Sequence, residues 1–237
     1  MCHSTDGRPP ASPAVTGGVA AQGPLEITAR DGNRFAAYRA EPEVPNGSGL
    51  VLLPDVRGLH PFYTELAQRF AEAGYDTIAI DFYGRTAGTA PRDDGFDGMK
   101  HLPLLESAHV DADVAAAAAR LSGRVFTVGF CLGGGHAWRQ AATLPGIAGA
   151  IGFYGPPRFF GDAAAEVEAP LLMLLAGDDV ATPQEEFDAM AADLERAGKE
   201  YEMHVYAGAP HSFFDRSYGD WAQACEDAWR RILAFTA

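Results

Sequence analysis

The chain has 237 residues, 47% of them hydrophobic and 21% charged, with a formal net charge of -14. That is the composition of a globular chain long enough to bury a sizeable core without staples. The acidic balance disfavours nucleic acid and anionic membranes as partners, because both call for a basic surface.

An anionic small molecule remains possible, since Arg57, Arg85, Arg92 and Arg216 could reverse the field locally. Cys2, Cys131 and Cys225 are odd in number and far apart, so neither a zinc spacing nor a disulfide framework is visible. A reducing, cytoplasmic compartment is expected. No apolar run is long enough for a membrane span, and no signal pattern opens the sequence.

Residues 1–23 are rich in Pro, Gly, Ser and Ala and read as a flexible tail. Residues 24–237 read as a single domain. "LEIT" and "RFAAYRA" flank Asp31-Gly32-Asn33, the pattern of a β-hairpin. "GLVLLP" is a continuous apolar run, as for a strand buried on both faces. The helix "PFYTELAQRFAEAG" follows, with Leu66, Phe70 and Ala73 at helical spacing and Gly74 to end it.

"DTIAID" is the next strand, and a stretch rich in Gly, Pro and Asp runs from Phe82 to Pro103. Long loops of this kind are often lids or binding loops. An alanine-rich helix, "SAHVDADVAAAAARL", leads to the strand "RVFTVGF". Beyond Cys131 the strands "AGAIGFYG", "APLLMLLAG" and "YEMHVYAG" follow. The helix "PQEEFDAMAADLERAG" separates the last two, and "DWAQACEDAWRRILAF" is the final helix. This alternation predicts an α/β fold with a mostly parallel sheet and helices on both faces.

The strongest chemical signal is "GFCLGG", a Gly-x-Cys-x-Gly turn between a buried strand and a helix. A nucleophile on such a turn has a strained backbone, and flanking glycines let neighbouring chain pass close by. The turn also sets the side chain over a helix N-terminus, which favours negative charge. Downstream, "LLAGDDVATP" puts Asp178 and Asp179 after a strand, and "AGAPHSFFDR" puts His211 after the last strand. Taken alone, each carboxylate would be a solvated loop residue and His211 a surface or capping histidine. Their order, nucleophile then acid then histidine, at the carboxyl ends of parallel strands, points to covalent acyl transfer.

With "LPDVRGLHPFY", "AIDFYGR", "GFCLGGG", "GFYG", "AGDDVATP" and "PHSFFDR", the sequence resembles the dienelactone hydrolases of the α/β-hydrolase superfamily. The resemblance covers nearly all of the chain after residue 23 and is specific through the conjunction of these motifs. It implies the α/β-hydrolase fold, with Cys131 as nucleophile, His211 as general base and Asp179, rather than Asp178, as orienting acid. It maps oxyanion donors onto the backbone N–H groups of Val56 and Leu132. It places Asp55 beside the resting thiol, at a position where members that open muconate-type lactones usually carry glutamate. Substrate carboxylates in this family are held by arginines. Arg216 matches one of them with a spacing longer by one residue, while Arg92 and Arg85 are candidates for the other and Arg57 is a further possibility.

His60, Phe62 and Tyr63 either line the site or pack, and His136 reads as structural. Phe213 and Phe214 read as an apolar wall, and Cys225 sits at core spacing in the last helix. The expectation is therefore a hydrolase of a small lactone or ester working through a thioester on Cys131, with no metal or organic cofactor. Its partner would be a small ester or lactone, with or without a carboxylate, and neither nucleic acid nor membrane; the chain would be a monomer or homodimer. Two alternatives stay open: a general carboxylesterase or thioesterase on the same fold, and a non-catalytic ligand-binding relative.

Overall fold

The computed structural model describes residues 6–215, 217 and 219–237. The chain forms the strands β1 (Val19–Thr28), β2 (Arg34–Pro42), β3 (Ser48–Leu53), β4 (Asp76–Ile80), β5 (Arg124–Phe130), β6 (Gly149–Phe153), β7 (Leu171–Asp178) and β8 (Tyr201–Pro210). The helices are α1 (Pro61–Glu72), α2 (Gly84–Ala87), α3 (Ser107–Ala118), α4 (Leu132–Thr143), α5 (Pro157–Phe160), α6 (Gln184–Arg196) and α7 (Ala222–Phe235).

The strands make one eight-stranded sheet in the order β1-β2-β4-β3-β5-β6-β7-β8. The β1–β2 and β2–β4 pairs are antiparallel, and every other neighbouring pair is parallel. This is the α/β-hydrolase architecture that the alternation of elements predicts. All six residues of β3 and all five of β6 are buried, which accounts for their unbroken apolar runs.

Two layers cover the sheet. On one face, Phe62, Leu66 and Phe70 of α1 pack with Ala228, Trp229 and Ile232 of α7 around Phe130 and Phe153. On the other, Val110 and Val114 of α3 and Ala137 of α4 pack on Val51, Leu53 and Ile78. Trp138 of α4 and Phe187 of α6 extend that layer over Leu171 and Met173. Parallel strands with helices on both sides direct the carboxyl ends of β3, β5, β7 and β8 to one edge, where ligand crevices of such sheets form.

The amino-terminal segment differs from the loose tail expected of residues 1–23. Residues 19–23 belong to β1 and pair with β2. Ahead of them, the Arg8 N–H donates to Asp215 (2.9 Å), the Trp229 indole N–H donates to the Pro10 carbonyl (3.2 Å), and the Thr16 N–H donates to the Glu72 carbonyl (2.8 Å). Small and proline residues offer few apolar anchors, which is why the composition reads as loose. The main chain itself supplies the docking groups, and composition does not report them. Among the described residues, no helix is long and apolar enough to cross a membrane, and no group of three His, Cys, Asp or Glu side chains could hold a metal ion.

Candidate active site

Cys131 stands between the end of β5 and the start of α4, with φ 52° and ψ -121°. A positive φ on a residue with a Cβ is strained and persists only where the surroundings enforce it. Here the enforcement is main-chain packing. The Cys131 N–H donates to the Phe153 carbonyl at 3.0 Å, and the Cys131 carbonyl accepts from the Gly134 N–H at 2.8 Å. A Cβ on Gly129 would lie 2.0 Å from the Gly133 carbonyl oxygen. One on Gly133 would lie 2.3 Å from the Leu53 oxygen and 2.4 Å from the Pro54 oxygen. Both glycines of the Gly-x-Cys-x-Gly pattern are therefore required by contact, and the helix can start directly beneath the thiol.

Cys131 is partly exposed, whereas Cys225 is buried, shares its thiol hydrogen with the Phe213 carbonyl and is pushed up to about 11 by burial. Cys2 lies outside the described residues.

His211 and Asp179 meet after β8 and β7. The His211 Nδ1 lies 2.8 Å from Asp179 Oδ2, with the two side chains 2% and 3% exposed. The other carboxylate oxygen of Asp179 accepts from the N–H groups of Ala181 (2.7 Å) and Thr182 (3.3 Å), so the loop fixes the acid before it fixes the base. Asp178, the alternative in the sequence, is the last residue of β7 and pairs in register with Pro210. With a carboxylate at Nδ1, that nitrogen carries the hydrogen. Nε2, which is buried and has no hydrogen-bond partner among the described residues, is left as the basic end.

Aromatic contacts connect the two halves of the site. Phe130, adjacent to Cys131, packs on Phe214 (5.6 Å) and Tyr154 (6.4 Å), and Tyr154 packs on the His211 ring at 4.7 Å.

The third element is the turn after β3. The Asp55 carboxylate is 1% exposed and accepts from the Arg57 N–H (2.9 Å), Nε (3.1 Å) and Nη2 (2.9 Å). The Asp55 carbonyl accepts from the Gly58 N–H at 3.0 Å, closing the turn around Val56. Leu132 is the first residue of α4, where N–H groups have no intrahelical acceptor. Among the described residues, neither Val56 nor Leu132 donates its N–H to a hydrogen bond.

Residues 35–237 match the sequence model of the Dienelactone hydrolase family. The chain belongs to that family. It is 29% identical over 263 aligned positions to a Salmonella typhi protein named "Putative carboxymethylenebutenolidase", covering 100% of this chain and 90% of that one. An Escherichia coli K12 protein of the same name is 31% identical over 230 positions, covering 85% and 82%. The crystal structure of a "Putative Dienelactone Hydrolase" from Klebsiella pneumoniae superimposes with a TM-score of 0.75 at 30% identity, covering 91% of this chain and 98% of that one. As a dienelactone hydrolase-like protein, the chain is a hydrolase of carboxylic ester or lactone bonds.

The arginines of this dienelactone hydrolase relative fall into different environments. Arg216 lies outside the described residues. Arg57 is clamped on Asp55 and stands over the rings of Phe62 (5.8 Å) and Tyr63 (5.9 Å). Arg85 bridges Asp31 and Asp113. The Arg92 side chain is 3% exposed: its Nε lies 2.7 Å from Asp81, its Nη2 donates to the Gly88 carbonyl (2.6 Å), and its guanidinium lies 4.5 Å from the Phe96 ring centre. Burial pushes Asp81 up to about 6 despite the opposing pull of Arg92. Arg92 thus ties the long loop to the end of β4.

The Asp55 carboxylate, expected beside the thiol, accepts hydrogen bonds from Arg57. His60 caps α1 through Nδ1, which accepts from the Phe62 N–H (3.2 Å), while its Nε2 donates to Asp94 (2.9 Å).

Two tyrosines were not singled out from the sequence. Tyr154, at φ 38°, lies inside "GFYG", and its flanking glycine was the available signal of an unusual backbone. Tyr83 lies inside "AIDFYGR" and donates to the Val56 carbonyl at 2.9 Å; nothing in the sequence pairs these two positions.

Proposed function

We propose that this family member hydrolyses a small lactone or ester by covalent catalysis at Cys131. The observation that carries the reading is the buried Asp179–His211 pair, its Nε2 without a hydrogen-bond partner among the described residues, at the same sheet edge as a cysteine held at positive φ. In the proposed reaction, His211 Nε2 takes the Cys131 proton as the sulfur bonds to the substrate carbonyl carbon. Asp179 holds the Nδ1 hydrogen and stabilises the imidazolium. The N–H groups of Val56 and Leu132 receive the oxyanion, a term that is often the largest in acyl transfer.

Collapse breaks the carbon–oxygen bond, and the imidazolium proton passes to the leaving oxygen. Water then attacks the thioester while His211 takes its proton. The carbon–sulfur bond breaks, the acid departs and the thiol regains its hydrogen. Relatives named carboxymethylenebutenolidase make a carboxylate-bearing lactone the first substrate to try, with Arg57 and Arg216 as the cations to vary. Neutral esters are the comparison.

The test is intact-protein mass spectrometry after rapid mixing with an activated ester. One acyl group per chain, located at Cys131 and absent from Cys131→Ala, is the expected result. Turnover by the alanine variant at the parent rate would overturn the assignment.

A further inference from the structure

We propose that the segment from Phe82 to Pro103 is a brace for the oxyanion turn, and that Tyr83 is a positioning residue for the Val56 N–H. The inference rests on the reading of Val56 as an oxyanion donor. The direction of that N–H depends on the two peptide planes that meet at the Val56 Cα. The first plane contains the N–H itself and the Asp55 carbonyl, which is held by the Gly58 N–H at 3.0 Å. The second contains the Arg57 N–H, held by the Asp55 carboxylate at 2.9 Å, and the Val56 carbonyl, held by the Tyr83 hydroxyl at 2.9 Å. With the other three polar groups anchored, φ and ψ of Val56 have no freedom left, and its N–H is aimed by construction. Of the three anchors, only the Tyr83 hydroxyl comes from outside the turn.

The anchor is itself immobilised. Tyr83 is fully buried; its N–H donates to Asp81 (3.1 Å), and its ring packs on Phe96 at 5.3 Å. The backbone of the segment also lies directly on the Val56 carbonyl. A Cβ built on Gly98 would stand 1.8 Å from that oxygen and 3.3 Å from the Tyr83 hydroxyl. Only glycine permits this approach. A segment that presses its main chain against the turn and is tied to β4 through the Arg92–Asp81 contact has the build of a support. Its contribution appears when charge develops on the carbonyl oxygen, so it should act on kcat rather than on KM.

The test uses the full chain with Tyr83→Phe, which keeps the ring and removes only the hydroxyl, and Gly98→Ala, which pushes a methyl group against the Val56 carbonyl. Acylation by 4-nitrophenyl acetate is followed alongside alkylation by iodoacetamide, which forms a carbon–sulfur bond and expels iodide without creating an oxyanion. For Tyr83→Phe, kcat should fall about 10-fold with KM unchanged within about 2-fold, and the alkylation rate should stay at the parent value. Gly98→Ala should lower acylation about 100-fold while its thermal transition remains cooperative. Equal acylation by Tyr83→Phe and the parent would overturn the brace, as would parallel losses in acylation and alkylation. A parent enzyme that forms no thioester would overturn the underlying reading and the brace with it.

Discussion

The turn that carries Cys131 and the turn that carries Val56 lie side by side, yet they are held by different means. The first is locked by main-chain contact: a methyl group on Gly129 or Gly133 would enter a carbonyl oxygen. The second combines a main-chain contact at Gly98 with side-chain anchors, the Asp55–Arg57 clamp, the Tyr83 hydroxyl and the His60 cap. Main-chain locks fail all at once, because there is no smaller residue than glycine and no room for a larger one. Side-chain braces can be weakened one hydrogen bond at a time. The Cys131 turn should therefore respond to substitution as a switch, and the side-chain anchors of the Val56 turn as a graded series.

The largest expected effect is on the switch. Cys131→Ala should lower ester or lactone turnover by ~10⁴-fold or more and leave the thermal transition near the parent value, which steady-state kinetics and calorimetry would check. Next is Gly133→Ala. Its methyl group overlaps two carbonyls of the β3 exit, so the fold should lose about 3 kcal/mol in urea titration and activity about 100-fold. A stable, active Gly133→Ala protein would break the comparison at its first half.

Third comes Asp55→Ala, which removes the hydrogen bonds that its carboxylate accepts from the N–H, Nε and Nη2 of Arg57. Activity should fall about 10-fold, and Asp55→Asn, which keeps an oxygen for the Arg57 N–H, should restore part of it. Equal behaviour of the two variants would show that the charge, not the turn, is what matters.

His136 sits on α4 behind the Cys131 turn, and its ring packs between Phe82 (6.2 Å) and Phe159 (4.9 Å). Burial, with a smaller push from Arg139, lowers it from 6.5 to about 3. Between those values the unfolded chain binds a proton that the native chain refuses, so stability is fully present above pH 6.5 and is lost as pH falls towards 3. Asp81, raised from 3.8 to about 6, works in the opposite direction: its protonation favours the native chain below pH 6, a contribution lost as pH rises through that value. His136→Leu should therefore flatten the acid limb by up to about 1.4 kcal/mol per pH unit, read as parent minus variant in urea titrations across that range. Identical limbs would mean that His136 finds a proton partner in the fold.

The smallest effect belongs to Asp94→Ala. Asp94 is 61% exposed, and its link to His60 should contribute under ~1 kcal/mol, with activity within about 2-fold of the parent.

Periodicity and punctuation made the sheet legible in the sequence. β3 and β6 are unbroken apolar runs, and the strand–turn–helix around Cys131 announces itself through glycines whose contacts the structure supplies. Asp179 and His211 were legible as positions after strands. Their pairing at 2.8 Å needed β7 and β8 to lie side by side. What escaped the sequence depends on partners distant in the chain. Arg92 reads as an available cation until Asp81 and Phe96 are seen to enclose it. Tyr83 meets Val56 across 27 positions, through a hydroxyl that no periodicity reports.

The strap formed by residues 8–16 carries a consequence for the order of events on the ribosome. It touches Asp215, Trp229 of α7 and the end of α1, and its contact with Trp229 joins residues 219 positions apart. The segment made early must wait for the helix made late, so its seat is complete only once α7 has been made. Until then the Pro10 carbonyl of the strap lacks its indole donor while the strap keeps its contact with the end of α1, so a chain stalled before α7 would present a sheet that is paired but not fully fastened. Closure of the strap would then mark the arrival of α7 on the sheet.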